Sequence, residues 1–224
     1  MSTALRAACG LLLLMAGTAA HAITASELVA KNVEAKGGAA ALKAVESVRR
    51  EGRAIVNGGQ FVLGVLETKQ RPESIRFEAS VQGLTQVQAY DGREGWKIDP
   101  FGGRKDPERM PADDVKDLIE DASIDGTLID AANRGGKVDY LGTEDVDGTT
   151  AHKLRITQKD GGVQYVFLDP EHFLEIRIES QRSIRGVKRT TVTELGNYEK
   201  VAGVFWPLSV ETGIKGGNDP AKFE

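Results

Sequence analysis

Histidine is the side chain best suited to proton transfer near neutral pH, and beyond the first 22 residues this chain has His152 and His172 alone. His172 and Glu175 lie three apart in what reads as a strand, where they would point to opposite faces. Neither histidine has a metal-binding neighbour at helical spacing, and both are expected to be exposed. No G-x-S-x-G, S-x-x-K, H-E-x-x-H or P-loop pattern occurs. The sole cysteine, Cys9, lies in the leader, so residues 23–224 carry no thiol nucleophile and no cysteine-based metal site. Asp145-Val146-Asp147-Gly148 has a trace of a calcium loop, but it lacks the further oxygen ligands and the distal Glu between two helices that such a loop requires. It reads as a hairpin turn. The pairs Asp113/Asp114 and Glu120/Asp121 read as the solvated face of a helix, because paired-carboxylate hydrolysis needs two acids facing across a cleft. No catalytic residue, metal ligand or cofactor site emerges.

The elements that would position a site are clearer. Thr24-Ala25-Ser26-Glu27 is a capping box, and Leu28, Val29 and Val33 give the following helix one apolar stripe that stops at Gly37-Gly38. A short second helix follows from Ala39 to Val45. From Ser47 the period becomes two, and the strand-like runs are separated by turn signals such as Asn57-Gly58-Gly59, Asp91-Gly92 and Lys159-Asp160-Gly161-Gly162. About eleven strands are expected, near 47–57, 60–70, 74–81, 84–90, 95–99, 136–142, 150–158, 163–169, 173–182, 187–195 and 204–214. Short connections between consecutive strands predict an antiparallel meander, since parallel pairing needs a crossover. One insert interrupts it: Pro111-Ala112-Asp113-Asp114 starts a helix, Val115, Leu118, Ile119 and Ala122 share one face, and the apolar surface continues through Leu128, Ile129 and Ala132. Some strands are apolar on both faces, Phe61, Leu63 and Val65 against Val62 and Leu66 among them. Others are one-sided, with Ile75 and Phe77 opposite Arg76 and Glu78. A sheet this large curls, and the N-terminal helix and the 111–134 insert are its available covers.

Composition bounds the partners. With 33 acidic against 29 basic residues in 224, no excess positive charge exists to neutralise a phosphate backbone, which argues against nucleic acid. Residues 1–22 have one cation, Arg6, an apolar run from Ala7 to Ala16 and an Ala20-His21-Ala22 end. That pattern predicts a signal peptide cleaved after Ala22, too short to span a bilayer. Cys9 lies near the start of the apolar run and not at its end, which disfavours a lipid anchor. Residues 23–224 are expected to be a single exported, periplasmic domain.

Two stretches go beyond generic β patterning. Lys69-Gln70-Arg71-Pro72-Glu73-Ser74-Ile75-Arg76-Phe77 is followed by Tyr90-Asp91-Gly92-Arg93-Glu94-Gly95-Trp96-Lys97-Ile98-Asp99-Pro100-Phe101. Near the end stand Asn197-Tyr198-Glu199-Lys200-Val201, Gly203-Val204 and Trp206-Pro207, with Asp219-Pro220-Ala221-Lys222-Phe223 after them. Together they resemble the LolA-like superfamily of outer-membrane lipoprotein-sorting carriers. The resemblance implies a mainly β (α+β) fold: an incomplete antiparallel β-barrel of about eleven strands holding acyl chains in an apolar concavity under a helical lid. It implies no catalysis, no metal and no cofactor. Its implied partners are lipoprotein acyl chains or another lipid, together with an inner-membrane release complex and an outer-membrane acceptor. On this resemblance Arg71 bonds to the lid and holds the closed state. Ile75 stands where the carriers often have an aromatic that hands cargo on, a departure that puts transfer to the usual receptor in question. Trp96 and Phe101 match the signature's Trp and Phe. Phe61, Leu63 and Phe77 are expected in the acyl cavity, and Val115, Leu118 and Ile119 in the lid. The insert is longer and more acidic than in a sorting carrier proper, which leaves another lipid open as cargo. A regulator of the same fold that senses mislocalised lipoproteins is the alternative; such regulators usually carry a second domain, for which residues 23–224 leave no room. A hydrolase or saccharide-binding protein is disfavoured by the empty catalytic search and by 6% aromatic residues.

Overall fold

The computed structural model describes residues 23–159, 161–184 and 187–224, so the expected signal peptide and Cys9 lie outside the described residues. Helix α1 (Ala25–Ala35) is opened by the anticipated capping box, with the Thr24 hydroxyl accepting from the Glu27 amide at 3.2 Å and the Glu27 carboxylate accepting from the Thr24 amide at 2.8 Å. Helix α2 (Ala39–Ala44) follows after Gly37, which only glycine can fill: its φ is +121°, and a Cβ there would stand 2.2 Å from the Gly203 carbonyl oxygen.

The rest is one antiparallel sheet interrupted once. Strands β1 (Ser47–Val56), β2 (Phe61–Gln70), β3 (Ser74–Val81), β4 (Leu84–Tyr90), β5 (Gly95–Asp99) and β6 (Arg104–Arg109) precede helices α3 (Ala112–Asp121) and α4 (Thr127–Asn133). Strands β7 (Lys137–Val146), β8 (Thr149–Thr157), β9 (Val163–Leu168), β10 (Glu175–Ile184), β11 (Val187–Val201), β12 (Val204–Ile214) and β13 (Ala221–Phe223) follow. Their spatial order is β6-β5-β4-β3-β2-β1-β13-β12-β11-β10-β9-β8-β7, an open run with β6 and β7 as edges. The described residues thus hold thirteen strands and not eleven. The sheet curls into an incomplete barrel: Phe77 on β3 and Phe223 on β13 are three strand spacings apart, ~14 Å on a flat sheet, yet their rings are 6.3 Å apart.

The insert is two helices meeting at a break over residues 123–126, where the Ser123 hydroxyl accepts from the Gly126 amide at 3.0 Å. Each covers a different part of the sheet. Helices α1 and α4 bury Leu28 and Leu128 against Leu154, Ile156, Val166 and Leu168, all fully buried. Behind them, Phe167 is buried on the other face with Val146 and Ala151, and the Lys153 ammonium lies over the Tyr165 and Phe167 rings. That is why β9 reads as apolar on both sides. Helix α3 instead sets Val115, Leu118, Ile119 and Ala122 on Ile75 and Tyr90.

Strand β13 is only three residues long, and it alone joins β1 to β12. It pairs with Ala54 and Ile55 on one side and with Val210, Glu211 and Thr212 on the other. Reciprocal backbone bonds between Arg53 and Glu224, at 2.8 and 3.0 Å, end the seam. Gly52 lies beside it because a Cβ there would stand 2.3 Å from the Glu224 carbonyl oxygen. Beyond that point residues 47–52 of β1 and 204–209 of β12 have no strand between them, and a slit is left in the sheet wall.

Candidate ligand-binding site

Directly opposed residues of an antiparallel pair share a face, and alternate residues along a strand do too. The register therefore assigns the concave face. Lys69, Glu67, Val65, Leu63 and Phe61 of β2 lie on it, opposite Ile75, Phe77 and Ala79 of β3 and Val48, Arg50, Gly52 and Ala54 of β1. The face is graded. Near the lid it is charged: Arg50 donates from Nε to Glu67 at 2.9 Å, and the Lys69 ammonium is 3.6 Å from the same carboxylate. Away from the lid it becomes apolar and open, from buried Val65 to Phe61, which is 51% exposed. The expectation of a groove apolar throughout is corrected here, because ionised side chains occupy the part that the lid covers.

Arg71, at the β2–β3 turn, fastens that lid. Its guanidinium makes two bonds to the Asp125 carboxylate, at 2.5 and 2.9 Å, and donates to the Leu42 and Val45 carbonyls at 3.1 and 2.8 Å. Four directed bonds from one planar fork tie the end of α2 to the break between α3 and α4. A lysine ammonium cannot reproduce that set. The bond to Asp125 raises the Arg71 pKa, against the opposing effect of burial. Two more arginines clasp the insert: Arg182 of β10 pairs with Asp117 and Glu120, and Arg134 pairs with Glu73. The acidic character of the insert is matched by these partners.

Two adjoining cavities lie behind the clasp. An inner chamber of about 220 Å³ has Lys36, Arg50, Glu67, Lys69, Glu120, Asp121 and Glu175 on its charged side, and Ile124, Ile178, Leu195 and Phe205 among its apolar residues. Lys36 reaches Glu175 at 3.3 Å and the Asp125 carbonyl at 3.2 Å. Tyr198 donates to the Glu175 carbonyl at 2.8 Å, and burial pushes its phenol well above the usual range. An outer cavity of about 410 Å³ occupies the slit, walled by Val45, Val201, Leu208 and Phe223 with Arg49 and Glu51 at its polar side. Val48, Arg50, Trp206, Pro207 and Val210 line both, so the two adjoin across these residues.

The expected site residues divide. Ile75 and Leu118 are buried against each other, with Val115 and Ile119 packed on the same cluster. Leu63 and Phe77 lie on the concave face, and Phe61 at its open end. Trp96 and Phe101 are not brought to it. Trp96 pairs with Ala89 while Gly95 pairs with Tyr90, so Trp96 points to the convex side, where Arg109 covers its ring at 5.3 Å. Phe101 lies exposed in the β5–β6 turn. The turn itself accounts for the neighbouring motif: Asp91 accepts from the Arg93 and Glu94 amides at 2.8 Å, which hold its carboxyl below the usual range. His172 is exposed beside Asp169 as expected. His152 is not fully exposed: it is half-buried between Phe173, stacked at 5.9 Å, and the Tyr140 hydroxyl at 3.0 Å, and burial lowers its pKa. Asp145 accepts from the Gly148 amide at 3.2 Å in a hairpin turn.

With an open curled sheet, a clasped two-helix cover and a cavity on the concave side, the architecture can be matched to known folds. A LolA superfamily protein from Nitrosomonas europaea superposes over 90% of this chain and 91% of its own, with a TM-score of 0.56 and 14% identity. The chain shares the fold of that LolA superfamily protein. An outer membrane lipoprotein-sorting protein domain from Vibrio parahaemolyticus matches over 88% and 89% of the two chains (TM-score 0.58, 12% identity). A DUF1329 family protein from Desulfovibrio piger matches over 89% and 90% (TM-score 0.60, 12% identity). No family model and no curated protein matches the sequence. Among the described residues, no helix is long and apolar enough to cross a membrane.

Proposed function

We propose that this protein is an exported, non-enzymatic carrier that shields the acyl chains of a lipoprotein or another lipid in its apolar slit for passage across the periplasm. The observation that carries the reading is the slit cavity of about 410 Å³, walled by Val48, Trp206, Leu208, Val210 and Phe223 and adjoining a lidded chamber. Its volume falls in the range of small-ligand sites, ~300–1,000 Å³. Each methylene withdrawn from water is worth ~0.8 kcal/mol, so an acyl chain supplies the affinity without any specific polar contact. A carrier must also let its cargo go. The lid is fastened by ion pairs and hydrogen bonds at Arg71, Arg134 and Arg182, which can be exchanged for water, and not by deep apolar burial alone. The Vibrio parahaemolyticus structure of similar fold is named as a lipoprotein-sorting domain, which agrees with this reading.

The two tryptophans supply the test. Trp206 lines the slit and Trp96 lies on the opposite face, so a Trp96→Phe variant leaves one reporter at the site. Titration with palmitate or a diacylated lipopeptide is expected to change Trp206 emission with about one-to-one stoichiometry. Val210→Lys, which puts an ammonium where the chain would lie, is expected to abolish the change. An unchanged Trp206 signal at saturating lipid, with no lipid retained by the protein, would overturn the carrier reading.

A further inference from the structure

The inner chamber is charged but not evenly satisfied. Its three cations are engaged: Arg50 donates to Glu67, Lys69 approaches the same carboxylate, and Lys36 spans Glu175 and the Asp125 carbonyl. Two of its carboxylates, Glu67 and Glu175, are thereby paired. Asp121, the last residue of α3, makes no hydrogen bond and no ion pair within 4 Å among the described residues. It is exposed to solvent where it lines the chamber, and desolvation raises its carboxyl above the usual range, with Lys69 opposing and Glu67 adding. An anionic side chain without a protein partner thus lines the chamber beneath the lid, and that chamber adjoins the apolar slit along Val48, Trp206 and Val210.

We infer that the preferred ligand is an amphiphile with a cationic amine head group, its ammonium held by Asp121 in the chamber and its chain lying in the slit between β1 and β12. The assignment rests on the carrier reading and adds a head-group class to it. An anionic head would meet cations already spent on Glu67 and Glu175, and would bring a second negative charge toward Asp121. A neutral head would leave Asp121 as it stands. The small inner volume, about 220 Å³ against 410 Å³ outside, suits a head group smaller than the chain that follows it.

Three probes of equal chain length separate the possibilities: dodecylamine, lauric acid and dodecanol, each below its micelle concentration or solubility limit, followed through Trp206 in the Trp96→Phe protein at neutral pH. The amine is expected to bind about tenfold tighter than the alcohol, the ratio of one charge-assisted contact in a half-enclosed site, and the acid weaker than either. Asp121→Asn, nearly isosteric, is expected to erase the amine's advantage, so that the amine and dodecanol bind the variant about equally. Equal binding of all three probes, or an amine preference that survives Asp121→Asn, would overturn the head-group assignment and leave the carrier reading intact. Binding of none of them would remove both.

Discussion

The two ends of the concave face are covered in different ways. Under α1 and α4 the contact is dry: Leu28, Leu128, Leu154, Ile156, Val166 and Leu168 are fully buried, and β9 is covered on its back as well. Under the break between α3 and α4 the contact is ionic and encloses space. Arg71, Arg134 and Arg182 fasten the insert, and the strand residues below it are Arg50, Glu67 and Lys69. Close-packed apolar contact cannot be undone piecemeal, because each buried side chain supports its neighbours. Hydrogen-bonded charges can be traded for water at little net cost. The dry region is therefore the part that holds the fold, and the wet region is the part that can open.

The comparison is easiest to break with a large-to-small change in the dry half. Leu154→Ala should cost ~2–5 kcal/mol of global stability, measured by urea unfolding, with little change in lid opening short of global unfolding. Arg71→Leu should do the reverse. It strands Asp125 and two carbonyls for a smaller global cost of about 1–3 kcal/mol, and it should speed amide exchange over 111–126 well before α4, β8 and β9 exchange. Salt sharpens the contrast without a mutation. At 1 M, where the Debye length is ~3 Å, exchange over 111–126 should rise while that of α4, β8 and β9 stays fixed; equal responses would erase the distinction between the halves. The smallest effect is expected at Asp121. Its carboxyl is raised in the folded chain, so the folded state is favoured while it stays protonated, and that contribution is lost as pH rises through the folded value. Asp121→Asn should then melt slightly higher than the native protein at neutral pH, with the difference vanishing in acid. A native protein as stable as the variant at neutral pH would show that Asp121 already has a partner.

Much of this was legible in residues 23–224. The capping box at Thr24, the meander and the helical insert follow from periodicity and turn chemistry, and Arg71 from a resemblance carried by Arg71-Pro72. The missed strands show where such reading ends. Strand β6, Arg104 to Arg109, has no apolar alternation because it is a sheet edge, where charge and Pro107 discourage further pairing. Strand β13 is too short to show a period, and its role in joining β1 to β12 is a long-range fact. The slit it leaves could not be read in advance for the same reason. Asp125 was hidden in a stretch that reads as continuous helix, although Ser123 and Gly126 are both turn formers. Trp96 shows the opposite failure: a motif residue assigned to the cavity points away from it, because the register with Ala89 sets its face. The charge beneath the lid was open to inspection in Arg50, Glu67 and Lys69, each at an inward position of its strand, and only the assumption that inward means apolar concealed it.

Central to the account is that an acyl chain enters the slit between β1 and β12 beneath a lid that can open. Amide exchange of the protein with and without a bound diacylated lipopeptide tests this most directly. The account predicts added protection at residues 45–51 and 204–210 and altered exchange over 111–126, with α4, β8 and β9 unchanged. Protection confined to β7–β9, or lipopeptide binding that leaves the slit strands unaltered, would contradict it.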